Sequence, residues 1–148
     1  MEPNSIICPV NVLVVDDNED IREIIAIILS RSGVQCQLAK NGVEAIERVK
    51  QCRFDAVVTD IEMPEMDGIV LTRELQKHFS ELPVMIMTGK SDGRYKEMAL
   101  RAGAMEFVNK PFNVSDFVTR LQRILLVRKS AQEQETREKR GPGSREAG

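Results

Sequence analysis

The stretch Val12-Leu13-Val14-Val15-Asp16-Asp17 decides the reading of this chain. Val10 to Val15 is a short apolar run, of the kind that fills a parallel strand buried on both faces. Two carboxylates close it. From Glu19 to Ser32 the period changes: Ile21, Ile24, Ile25 and Ile28 recur at helical spacing, with Ile27 and Leu29 on the flank. That pattern predicts a widely buried helix, which Gly33 stops.

The strand-then-helix unit then repeats. A second strand is expected over Val34 to Ala39, and Asn41-Gly42 opens a helix to about Cys52 with Val43, Ile46 and Val49 at helical spacing. Phe54 to Thr59 reads as a third strand, Gly68 to Phe79 as a third helix, and Leu82 to Thr88 as a fourth strand. Asp92 to Ala102 is a shorter, more polar helix, and Met105 to Val108 a fifth strand. Asn113 or Ser115 caps a last helix whose inward residues are Phe117, Val118, Leu121, Ile124 and Leu125. Five such units in succession imply right-handed crossovers and a parallel sheet covered on both faces. The fold class is α/β, a doubly wound (βα)5 sandwich.

Composition narrows the function. The 148 residues suffice for one domain and a tail, and 42% apolar content supplies a core. A formal net charge of -2 argues against a general binder of nucleic acid or anionic membrane. No apolar run is long enough to span a bilayer. Met1-Glu2-Pro3-Asn4 lacks the basic start of a secretory signal. Cys8, Cys36 and Cys52 fit neither zinc spacing nor a disulfide framework, which points to reduced thiols in a cytoplasmic protein. Residues 1–9 read as an extension and 10–127 as the domain. From Arg128 to Gly148 almost nothing is apolar, as expected of a charged, disordered tail or linker.

The chemistry collects at the strand ends. Asp16 and Asp17 follow the first strand, Asp60 the third, Thr88 closes the fourth, and Lys110 follows the fifth. In a parallel sheet these ends share the edge where open α/β sheets place ligands. Crowded carboxylates require a counter-charge, and a hard divalent cation with one lysine supplies it. Asp17 and Asp60 are placed to bind Mg²⁺ directly, Asp16 through water, and a backbone carbonyl after Asp60 completes the share. Asp60 is the candidate nucleophile toward phosphorus, with Thr88 and Lys110 available to hold phosphoryl oxygens. Helix capping alone accounts for one of the first two aspartates, not for their convergence with a third. Lys110-Pro111 is an X-Pro bond that in its cis form would aim the lysine into the pocket; a trans turn is the alternative.

Taken together, these residues resemble the receiver domain of two-component response regulators, the CheY-like fold. The matching pieces are Val14-Val15-Asp16-Asp17 with Arg22, then Thr59-Asp60-Ile61-Glu62-Met63-Pro64-Glu65-Met66-Asp67-Gly68, Met87-Thr88-Gly89, and Lys110-Pro111-Phe112. The resemblance implies the flavodoxin-like strand order 2-1-3-4-5. It implies Mg²⁺-dependent phosphoryl transfer from a sensor histidine kinase to Asp60, with metal held by Asp16, Asp17, Asp60 and the Glu62 backbone carbonyl. Thr88 and Phe107 become the switch pair and Lys110 the phosphate-binding lysine. Glu62 and Lys90 flank the pocket, where an ion pair between them would screen attacking water. A partner surface is implied on the fourth helix, fifth strand and last helix, biased basic by Arg94, Lys96, Arg101, Arg120 and Arg123. The segment from Gly89 to Tyr95 is expected to be mobile.

The resulting expectation is a phosphoacceptor signalling domain rather than an enzyme, without nucleic-acid or membrane contact and with homodimerisation open. Two neighbouring readings remain: a phosphorelay intermediate, or the N-terminal receiver of a regulator with a separate DNA-binding or enzymatic output domain. A phosphorylation-independent scaffold is disfavoured by the intact acidic set, and a metal hydrolase by the missing substrate insert.

Overall fold

In a computed structural model of the chain, the described residues are 10–89, 93–110 and 113–127. The strands are β1 (Asn11–Val15), β2 (Gln35–Ala39), β3 (Ala56–Asp60), β4 (Val84–Thr88) and β5 (Glu106–Asn109). The helices between them are α1 (Glu19–Arg31), α2 (Gly42–Gln51), α3 (Gly68–His78) and α4 (Gly93–Ala102), and residues 114–127 form α5. All strand pairs are parallel, in the order β2-β1-β3-β4-β5.

The order follows from burial. Every residue of β3 and of β4 is buried, as central strands covered on both faces must be. β2 lies at the sheet edge, and its Gln35 is exposed. Period-2 alternation divides the core in two. On one face, Leu13, Val57 and Ile86 pack with Ala45, Leu71, Leu75 and Ala99; on the other, Val12, Val58 and Met85 pack with Ile25, Leu29, Phe117 and Leu121.

Four of the helix starts have a local cause. Asn18 Oδ1 accepts the Ile21 N–H at 3.2 Å, and Asn41 Oδ1 accepts the Glu44 N–H at 2.8 Å. Asp67 Oδ1 takes the Ile69 and Val70 N–H groups, both at 2.9 Å. Asn113, rather than Ser115, caps α5 by accepting the Asp116 N–H at 3.2 Å. Such caps satisfy donors that the helix itself leaves open.

Several sequence expectations shift. α1 is not widely buried: Ile25, Ile28 and Leu29 face the sheet, while Ile24 is 50% and Ile27 54% exposed. At 100° per residue the last two fall outside the stripe that one sheet face can cover. Val43 likewise faces solvent, and Ala45 with Val49 takes the inward positions of α2. β4 begins at Val84, since Pro83 has no N–H for the ladder. β3 begins at Ala56 instead of Phe54, and β5 runs one residue later than expected. Among the described residues no helix is long and apolar enough to cross a membrane. The expectations for residues 1–9 and 128–148, for Lys90 and Asp92, and for Pro111 and Phe112 lie outside the described residues.

Candidate phosphoacceptor site

Register brings the sequence-predicted residues to one edge. Val15 pairs with Ala39 on one side and Thr59 on the other, Asp60 with Met87, and Thr88 with Asn109. Asp16, Asp60, Thr88 and Lys110 therefore emerge side by side at the carboxyl ends of four neighbouring strands. Asp16, Asp17 and Asp60 each offer a carboxylate oxygen, and the three oxygens lie within 4.8 Å of one another. Asp16 is fully buried, Asp60 nearly so, and Asp17 exposed.

Lys110 holds the cluster together. Its Nζ lies 3.0 Å from Asp16 Oδ2 and 3.3 Å from Asp60 Oδ2. The second Asp16 oxygen accepts the Asn18 N–H at 2.9 Å, and Asp60 Oδ1 accepts the Ile61 N–H at 2.8 Å. Burial pushes the Asp60 carboxyl pKa above its ordinary value; Lys110 pulls it back only in part, and Asp16 adds to the rise. Burial also works against the Lys110 charge. There the hydrogen bond and charge of Asp16, joined by Asp60, prevail and hold the ammonium pKa above its ordinary value.

The loops around this cluster are pinned. The Asp16 N–H donates to Ala39 O at 3.1 Å, and Arg22 Nη1 donates to Asp16 O at 2.6 Å. After Asp60, the chain closes on itself through Gly68 N–H to Ile61 O at 2.8 Å and Met66 N–H to Pro64 O at 2.8 Å. Glu65 sits at φ 71°, in the left-handed region. A cleft of about 450 Å³ opens beside the carboxylates, lined in part by Asp17, Glu62, Met63, Pro64 and Tyr95.

Gly68 shows how tightly the loop folds over the reactive strand. A Cβ there would overlap the Asp60 carbonyl oxygen and lie 2.8 Å from its carbonyl carbon. The obstacle is backbone, so no rotamer relieves it. Gly68→Ala is expected to cost about 2 kcal/mol of stability, read as a lower urea midpoint at unchanged slope. A midpoint equal to wild type would show that the loop relaxes freely.

Thr88 is fully buried, and its carbonyl accepts the Lys110 N–H at 2.7 Å. Phe107 is 8% exposed and belongs to the core cluster on the α4 side, so the ring already points inward. Arg120 Nη1 reaches the Phe107 carbonyl at 3.1 Å and Glu106 at 2.8 Å, and its Nε pairs with Asp116 at 3.0 Å. Arg123 also pairs with Glu106, and Arg101 with Glu97. The basic bias of this face is thus partly neutralised from within. Sequence reasoning assigned no role to Asn18, Asp67 or Tyr95. Asn18 and Asp67 are recognisable as caps by their place just before a helix, whereas Tyr95 reaches the cleft only through the packing of α4.

The sequence pattern of the response regulator receiver domain matches residues 12–122. The chain belongs to the response regulator receiver domain family. Among curated relatives, response regulator MprA of Mycobacterium sp. strain KMS is 38% identical over 117 residues, covering 79% of this chain and 51% of that protein. The chain thus spans about half the length of the curated relatives it matches. Among solved structures, the Vibrio cholerae chemotaxis protein CheY4 is 28% identical with a TM-score of 0.75, covering 79% of this chain and 99% of that one. A putative response regulator from Chloroflexus aurantiacus is 29% identical with a TM-score of 0.78, covering 80% and 99%. The receiver is therefore CheY-like and part of two-component signalling. Receiver domains interact with histidine kinases and downstream effectors, and the family uses Mg²⁺ at an acidic pocket.

Proposed function

We propose that this receiver accepts a phosphoryl group on Asp60 from a phosphohistidine of a sensor kinase or phosphotransfer protein and signals through the resulting change in its surface. The observation that carries the proposal is the convergence of Asp16, Asp17 and Asp60 within 4.8 Å, bridged by Lys110. The donor set is all hard oxygen, and burial penalises the Asp60 charge, so these residues suit Mg²⁺. Asp17, Asp60 and the Glu62 carbonyl would hold it, with Asp16 acting through water. When bound, the ion neutralises charge on the phosphoryl oxygens.

The chain's own groups do the rest. The Ile61 N–H fixes one Asp60 oxygen and so orients the carboxylate. An Asp60 oxygen attacks phosphorus, an O–P bond forms, the P–N bond breaks, and its electron pair stays on the imidazole nitrogen. Lys110 turns from Asp60 to a phosphoryl oxygen, and the Thr88 hydroxyl donates to another. In this sense the domain assists its own phosphorylation and dephosphorylation without being a classical enzyme. Phe107 and Thr88 form the switch; because Phe107 is already buried, the change passes chiefly through Thr88 and α4. The downstream target is a protein bound at the α4, β5 and α5 face, which also serves any homodimer, and the setting is cytoplasmic.

Incubation with acetyl phosphate tests the reading. Wild type is expected to incorporate one phosphoryl group in Mg²⁺ and essentially none in excess chelator, by intact mass. Equal incorporation in both, or none in either, would overturn it. The half-length match to MprA supports a second reading, in which the same receiver is one part of a longer regulator. The length of the native gene decides between them.

A further inference from the structure

Arg22, near the start of α1, bonds among the described residues to none of the Asp16, Asp17 and Asp60 carboxylates. Its hydrogen bond, at 2.6 Å, goes to the backbone oxygen of Asp16. Lys110 behaves oppositely, pairing directly with Asp16 and Asp60. A cation placed to neutralise the cluster would do as Lys110 does. We propose that Arg22 is a positioning residue that locks the Asp16–Asp17 peptide so that the Asp17 carboxylate is preset for the metal.

The peptide unit is planar, so fixing the Asp16 oxygen fixes the Asp17 N–H and, through it, the direction in which Asp17 leaves the backbone. Asp17 is exposed, unlike the fully buried Asp16. Asp16, by contrast, is held by its side chain: Asn18 N–H takes one oxygen and Lys110 the other. The loop is thus braced on the Asp16 side by the carboxylate and on the Asp17 side by Arg22. α1 supplies a rigid base, because the Arg22 N–H continues its first turn onto Asn18 O at 3.1 Å. The long guanidinium arm spans from that turn back to the strand end and takes up none of the carboxylate oxygens. Groups that orient a ligand from behind commonly set metal affinity by an order of magnitude or more.

This inference rests on the Mg²⁺ reading, and the test separates the two. Mg²⁺ affinity is measured by calorimetry for wild type, Arg22→Met and Arg22→Lys, with amide ¹⁵N shifts recorded on the metal-free proteins. Arg22→Met is expected to bind Mg²⁺ about tenfold more weakly, with shifted Asp17 and Asn18 amides before any metal is added. At saturating Mg²⁺ its rate with acetyl phosphate should return to within about twofold of wild type, since positioning is restored by mass action. Arg22→Lys, which keeps the charge but offers a point donor instead of a planar fork, should fall between. Wild-type affinity in Arg22→Met overturns the proposal, as does full recovery in Arg22→Lys with the metal-free amides still displaced, which would assign the effect to charge. If Arg22→Met does not fold, the intermediate affinity of folded Arg22→Lys decides. A wild type that binds no Mg²⁺ overturns the function itself.

Discussion

Asp60→Asn is expected to lose phosphoryl uptake by about a thousandfold or more while becoming more stable in the absence of divalent cation. The amide has the size of the carboxylate and keeps an oxygen for the Ile61 N–H, so the loop after β3 stays in place. What disappears is the nucleophile and one negative charge. The stability gain follows from sign. Burial raises the Asp60 pKa in the folded state, so ionising Asp60 is less favourable in the native protein than in the unfolded chain and costs stability near neutrality. That cost grows as pH rises from the ordinary carboxylate range through the raised native value. A neutral amide removes it at every pH. Intact mass after acetyl phosphate treatment and a thermal melt in chelator check the two halves. Retained labelling would remove Asp60 as acceptor, and a lower melting point would contradict the electrostatic account.

Lys110→Ala is expected to lose uptake by about a hundredfold and, unlike Asp60→Asn, to lose about 3 kcal/mol of stability. Lys110 is the counter-charge that lets the fully buried Asp16 remain beside Asp60. Removing it leaves two carboxylates facing each other in a water-poor pocket. Because the Lys110 pKa is raised on folding, its stabilisation is fully present below the ordinary lysine pKa and is lost as pH rises through the native value. The deficit of Lys110→Ala should thus be constant near neutrality and vanish in strong alkali. Mg²⁺ should narrow it, since an ion bound only by the native state adds stability by mass action. Urea titrations with and without Mg²⁺ give the comparison. A variant as stable as wild type would mean that the pocket is solvated well enough to need no lysine.

Opposite stability changes with shared loss of activity are legible in the structure but not in the sequence. Val12 to Val15 and Ala56 to Val58 announce buried parallel strands because nothing polar interrupts them, and from there the strand-end positions of Asp16, Asp60, Thr88 and Lys110 follow. The bridging of Asp16 and Asp60 by one ammonium does not follow, since it depends on how deeply each carboxylate is covered. α1 shows the same boundary. Seven apolar residues among the nine from Ile21 to Leu29 mark a helix but overstate its buried width, since periodicity cannot tell how much of a helix a sheet face covers. Arg22 was visible as a motif residue, whereas its partner is a backbone oxygen, which carries no signature in the sequence.

The helices are not equally anchored. α1 sets Ile25, Ile28 and Leu29 into the sheet, and residues 114–127 set Phe117, Leu121 and Ile124. α4 buries only Ala99 and Ala102, with Tyr95 half-covered beside them. At about 0.8 kcal/mol per buried carbon group, its grip on the core is a small fraction of theirs. In mechanical terms α4 is the softest joint among the described helices, and it comes next after Thr88 in the chain. On the proposed function, the stiff part of the molecule would receive the charge and the compliant part would register it.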